Sequence, residues 1–211
     1  MNYTEMLLKK NKNIILILTI YLLLYIILIK YTIVVDKENL YYNLTLNKYI
    51  LYIFHGFFFI LINYIIINNI MKNEFLIRIE RKKIIILLLN IGILYSLGFV
   101  ILSNLVLIFL LKMCDTYIKI LYTIVFMTLY CFFLYSIIMV FYFKYKVKSI
   151  IITNIVNLFP ITILSNTPIS KYIIINSSYS NFSLILVVFT IVLVFNLILI
   201  YFTYRKFDFI I

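Results

Sequence analysis

The chain has 211 residues, of which 66% are hydrophobic and 12% charged, with a formal net charge of +12 and mean hydropathy of +1.15. A soluble globular chain runs nearer half apolar and about a quarter charged, so this composition excludes a soluble core and points to an integral membrane protein. The nineteen Lys and Arg residues fall in small groups between apolar runs instead of forming one patch, which excludes a nucleic-acid surface and fits anionic lipid headgroups.

In chain order, residues 1–13 carry Lys9, Lys10 and Lys12 with Tyr3, Met6, Leu7 and Lys10 at helical spacing, a pattern for a surface-lying lead-in helix or a basic tail. The first span is predicted over Ile14–Val35. No small-residue cleavage site follows it, so it reads as a retained span. Lys30, near its end, can snorkel toward the headgroups. After a polar connection, the second span is predicted over Ile50–Met71.

Lys72 to Lys83 then form a charged island holding five of the nineteen bases and two of the seven acids. Glu74 and Arg78 share one helix face, while Phe75, Leu76 and Ile79 point elsewhere, which predicts a short amphipathic helix.

The third and fourth spans are predicted over Ile84–Leu111 and Tyr117–Phe143. Each is long enough to need tilt, and the five-residue connection between them predicts an antiparallel hairpin packed side by side. Gly92 and Ser96 stand four apart, a small-residue pair that lets another backbone approach.

A fifth run, Ile150–Leu164, is too short for an ordinary span, contains Pro160, and ends at Asn166, Thr167 and Pro168. The mixed segment 165–182 predicts a re-entrant or surface helix before the last span at Ser183–Tyr204. The expected fold is therefore all-α: a single transmembrane domain, residues 1–211, forming a polytopic helix bundle of about six spans. Counted by side, thirteen bases fall with the two termini, the island and the group Lys144, Lys146 and Lys148, and five fall opposite, with Lys30 inside the first span. The positive-inside rule then puts both termini and the island in the cytoplasm.

Little chemistry is available inside the spans. Every Asp and Glu lies in a connection or a terminus, and His55 is the only titratable residue clearly within a span; a lone His there reads as a hydrogen-bonded interfacial residue, not a metal ligand or relay. The eight asparagines Asn63, Asn68, Asn69, Asn90, Asn104, Asn154, Asn157 and Asn196 read as interhelical hydrogen-bonding groups or, alternatively, as a polar substrate path. Gly56, Gly92 and Gly98 all lie in spans and none precedes Lys, so a phosphate-binding loop is excluded and any ATP-driven work needs a partner. Cys114 and Cys131 are too far apart along the chain's helices for an expected disulfide. No nucleophile, base and orienting acid can be assembled, so no enzyme is expected.

Six spans, the cytoplasmic pattern Phe75-Leu76-Ile77-Arg78 followed by Arg81-Lys82-Lys83, and a broken, Pro-containing segment before the last span resemble permease subunits of bacterial ABC-2-type exporters, in particular the small permeases of bacteriocin export and immunity. The resemblance implies a bacterial cell membrane location, a separate ABC ATPase subunit carrying the ATP, and pairing with a second permease as homodimer or heterodimer. It also implies ATPase-subunit contact through Glu74, Phe75, Arg78, Glu80 and Arg81, and an outer re-entrant cap shaped by Pro160 and Pro168. A non-transporting immunity or scaffold protein is the alternative.

Overall fold

The structure is a computed structural model that describes residues 12–35, 44–45, 49–71, 81–111, 117–162, 190–191 and 193–202. Among these residues it is all-helical. We number the helices α1 (Lys12–Val35), α2 (Gly56–Met71), α3 (Arg81–Leu111), α4 (Tyr117–Tyr145), α5 (Lys148–Thr162) and α6 (Leu193–Phe202). A seven-residue π-helical turn, Tyr49–His55, runs directly into α2.

Among the described residues, four stretches are long and apolar enough to cross a membrane: Lys12–Ile33, Tyr49–Ile70, Ile86–Leu110 and Thr123–Tyr142. The class is a helical membrane protein. At 1.5 Å per residue the fifteen residues of α5 extend only about 22 Å, and α6 is likewise a shorter apolar helix. Pro160 falls in the last turn of α5, within the helix it was expected to interrupt. Helices α1 and α5 begin two residues and α3 three residues before the predicted runs, and α4 ends two residues beyond its run, where polar residues extend the backbone ladder past the apolar stretch. The segment with Glu74, Phe75, Arg78 and Glu80, the segment with Pro168, and Cys114 lie outside the described residues.

Burial sorts the helices into a centre and a periphery. The second and fourth spans are 56% buried, against 22% for the first and 33% for the third. On α1 the inward stripe is Tyr21, Tyr25 and Ile29, four residues apart, while Leu16, Leu23 and Ile27 face outward. On α4 every residue from Leu134 to Met139 is buried, so that helix is surrounded. The outward positions are apolar as well, which suits a hydrocarbon solvent and no other.

The α3–α4 pair is the side-by-side hairpin that the short connection requires. Tyr135 of α4 lies against Gly92 of α3, where a Cβ would collide with the ring, and its hydroxyl donates to the Leu88 carbonyl at 2.7 Å. Gly92 thus admits an aromatic ring, whereas the small-residue pair suggested a backbone. Ser96, its partner in that pair, is buried and donates back to the Gly92 carbonyl at 2.7 Å.

A two-residue turn joins α4 to α5. Lys146 takes a left-handed conformation with φ of 45°, and its amide donates to the Tyr142 carbonyl at 2.9 Å. Ser149 then donates from both its amide and its hydroxyl to the Lys146 carbonyl, at 3.0 and 2.6 Å, starting the next helix.

Candidate functional site: a polar seam around the π-helical turn

A π turn sits awkwardly in a membrane, because changing the ladder from five-residue to four-residue spacing skips a backbone acceptor and the bilayer offers no water to satisfy it. This chain surrounds the turn with side-chain donors on two faces. His55 ends the turn on one face, and the Tyr52 carbonyl marks the other.

On the first face, His55 is fully enclosed. Its Nε2 is 3.2 Å from the Leu44 carbonyl and its Nδ1 is 2.9 Å from the Tyr21 hydroxyl. The Tyr21 hydroxyl is also 2.6 Å from Ser103 Oγ, which is 2.8 Å from the Phe99 carbonyl. Tyr25 donates to the same Leu44 carbonyl at 3.3 Å. Aromatic rings close the site: Phe99 lies 4.8 Å from Tyr21 between centroids, and Tyr25 meets His55 edge-on at 5.0 Å. Helices α1 and α3 and the π turn are tied together here.

The hydrogen placement follows from what each partner can do. A carbonyl only accepts, so Nε2 of His55 carries the hydrogen facing Leu44. In a neutral ring Nδ1 then accepts from Tyr21, and the single Ser103 hydrogen goes either to the Phe99 carbonyl or to the Tyr21 oxygen, not to both. With a proton added at Nδ1, the order reverses: His55 donates to Tyr21, Tyr21 to Ser103, and Ser103 to Phe99. In the neutral order one of the two Ser103 contacts therefore lacks a hydrogen, whereas the protonated order fills every contact in the row. No Asp or Glu takes part in it among the described residues. His55 is therefore the hydrogen-bonded residue expected of a lone span histidine, but enclosed by protein instead of standing at the interface.

On the second face, the Tyr52 carbonyl accepts from Asn157 Nδ2 of α5 at 2.6 Å, and Asn157 Oδ1 accepts from the Tyr130 hydroxyl of α4. The Tyr52 and Tyr130 rings meet at right angles, 5.4 Å apart. Gly56, the first residue after the turn, makes room: a Cβ there would stand 2.6 Å from Asn157 Nδ2 and 2.7 Å from the Tyr130 hydroxyl.

Tyrosine hydroxyls are the main connectors between helices, since Tyr21, Tyr130, Tyr135 and Tyr142 each reach across, the last to Asn68 Oδ1 at 2.8 Å. The asparagines mostly do something else. Asn63, Asn104 and Asn154 donate to the carbonyl four residues back in their own helices, at 2.7, 2.9 and 2.9 Å, and Asn90 is exposed. Asn68 and Asn157 bond between helices, and the expectation for most asparagines is corrected: an amide nitrogen can use the carbonyl one turn back in its own helix, which in Asn63 leaves the amide oxygen without a partner. The signal that sequence reading passed over was twenty Tyr in a chain without Trp, several deep within spans and not at their ends.

No group of three or more His, Cys, Asp or Glu residues able to hold a metal occurs among the described residues. Cys131 is a free, buried thiol in α4. Of the residues expected to meet an ATPase subunit, Arg81 alone is described, as the first residue of α3. Compared with protein-family models, curated proteins and solved structures, the chain has no match.

Proposed function

We propose that this chain is the membrane-spanning permease subunit of an ABC-type exporter in a bacterial cell membrane, with six crossings, both termini cytoplasmic and the ATP on a separate subunit. It moves a hydrophobic or amphipathic molecule and works beside a second permease. One observation supports this reading above the others: the island Lys72 to Lys83 follows α2 and leads into α3, and both helices meet α1 in one buried network, through His55 at the mouth of α2 and Ser103 in α3. A partner that pushes on the island would move those two helices against a common hydrogen-bonded core, which is how rigid-body motion crosses a membrane domain. Glu74, Phe75, Arg78, Glu80 and Arg81 form the contact, and Pro160 and Pro168 belong to the outer cap.

Pull-down of the tagged chain in gentle detergent, with mass spectrometry and an ATPase assay, tests it. Stoichiometric recovery of a nucleotide-binding subunit is expected, and Arg78→Glu lowers that recovery about tenfold without reducing membrane insertion, the loss expected when an interfacial charge pair becomes a like-charge contact.

A second reading, a non-transporting immunity or scaffold protein, is favoured by a different observation. The interior hydroxyls and most interior amides bond to one another or to backbone, and two cavities among the described residues have almost wholly apolar walls. Recovery of the chain alone, under conditions that preserve a known transporter complex, would select it.

A further inference from the structure

Helix α6 turns nearly all of its side chains outward. Leu193, Val194, Phe195, Leu197, Ile198, Tyr201 and Phe202 are all exposed, whereas Asn196 is 2% exposed. Neither its Nδ2 nor its Oδ1 has a hydrogen-bond partner. Other interior asparagines use at least the amide nitrogen: Asn63, Asn104 and Asn154 donate back to their own helix, Asn63 with its Oδ1 left unpartnered, and Asn157 bonds on both sides. Asn196 does neither, which leaves both a donor and an acceptor unused in an apolar setting.

The same residue lines a cavity of about 240 Å³ between α3, α4 and α6, walled by Ile93, Leu129, Phe132 and Leu197. Thr128 also lines it, but its hydroxyl is engaged by the Ile124 carbonyl at 2.7 Å. Ile93 and Leu197 at its rim are exposed, so it opens toward the apolar exterior. The volume corresponds to roughly eight molecules of water-like size at ~30 Å³ each. None of its walls is charged, so an ion in this cavity would have no partner among the lining residues. A carboxamide with both atoms free matches a neutral group that donates and accepts at once.

From this geometry we infer that the α3–α4–α6 cavity binds an uncharged, medium-chain aliphatic molecule bearing one hydroxyl or amide group, which Asn196 hydrogen-bonds. The site goes beyond the export reading and does not depend on it, since the purified chain contains every residue involved.

The test is photolabelling of the full chain in lipid nanodiscs with 3-azioctanol, an eight-carbon alcohol carrying a diazirine, followed by mass-spectrometric mapping. Adducts are expected on Leu129, Phe132 or Leu197. Excess 1-octanol and octanamide should both suppress them, and octane should not. Asn196→Leu should lower labelling about tenfold, the weight of one buried hydrogen bond, and removes no bond from the fold. Phe132→Trp keeps Asn196 but narrows the cavity, and should also lower labelling, so it decides the matter if the first variant does not insert. Adducts scattered over outward positions such as Leu94 and Phe109, suppression by octane as strong as by octanol, or full labelling of Phe132→Trp would overturn the site. Failure here leaves the ATPase pull-down unaffected, and failure of the pull-down leaves this site standing.

Discussion

Asn157 in α5 and Asn196 in α6 sit in similar stretches of sequence and are buried alike, 3% and 2% exposed, yet one is bonded at both amide atoms and the other at neither. The difference lies in what each helix packs against. Around Asn157 stand a tyrosine hydroxyl and a carbonyl at the junction of two backbone ladders. Around Asn196 stand Ile93, Leu129 and Phe132, none of which can donate or accept through its side chain. An amide in a membrane helix is thus either a fastener or an unused handle, and its own helix does not decide which.

The largest expected effect breaks the fastened side. Gly56→Ala puts a Cβ into both Asn157 and the Tyr130 hydroxyl, so the two bonds cannot persist in place. A loss of about 3 kcal/mol is expected from overpacking, read as a lowered unfolding midpoint in mixed detergent–SDS micelles. Next comes Asn157→Leu, which leaves the Tyr52 carbonyl and the Tyr130 hydroxyl without that partner. Its expected cost by the same titration is about 2 kcal/mol.

Asn196→Leu should move the midpoint the other way, by about 1 kcal/mol, because an unbonded buried amide gives way to an apolar group of similar volume. A loss of stability on that substitution would show that Asn196 has a partner within the fold and would erase the contrast. Smallest is Gly98→Ala. No atom lies within 4 Å of a Cβ built there, so the variant should gain about 0.5–1 kcal/mol from helix propensity alone. Three span glycines that read alike in sequence would then separate into two that seat a neighbour, Gly56 and Gly92, and one that does not.

Span positions were legible because a long apolar run has few alternatives in a chain of this composition, and the short 112–116 connection left α3 and α4 only one way to pack. What faced inward was not legible. In a soluble helix the polar face marks the outside, but these helices are apolar all round, so Tyr21 and Leu24 look equally suited to either side until neighbours are placed. The tyrosine contacts span up to 82 residues of sequence, as between Tyr21 and Ser103, and no local pattern encodes them. The π turn left no trace either, since Tyr49 to His55 reads as an ordinary part of the second span. The proposed ATPase contact stood in the opposite position: its pattern was plain in sequence at Glu74 to Arg81, while 72–80 falls outside the described residues.

The π turn has a consequence for how this chain tolerates changes in length. A π turn equals an α-helix carrying one inserted residue, and deleting one codon within it restores the shorter repeat. Ile53 is half-exposed and bonds to nothing through its side chain, so its deletion removes no contact of its own. It would nevertheless turn everything upstream, including Leu51 and Tyr52, by about 100° relative to α2. That rotation would carry the Tyr52 carbonyl away from Asn157. A deletion scan across the second span should therefore find a different tolerance at 49–55 than at 57–70: upstream, one lost residue regularises the helix but dismantles its fastening, whereas downstream it shifts the register of Asn63 and Asn68 and leaves the turn intact.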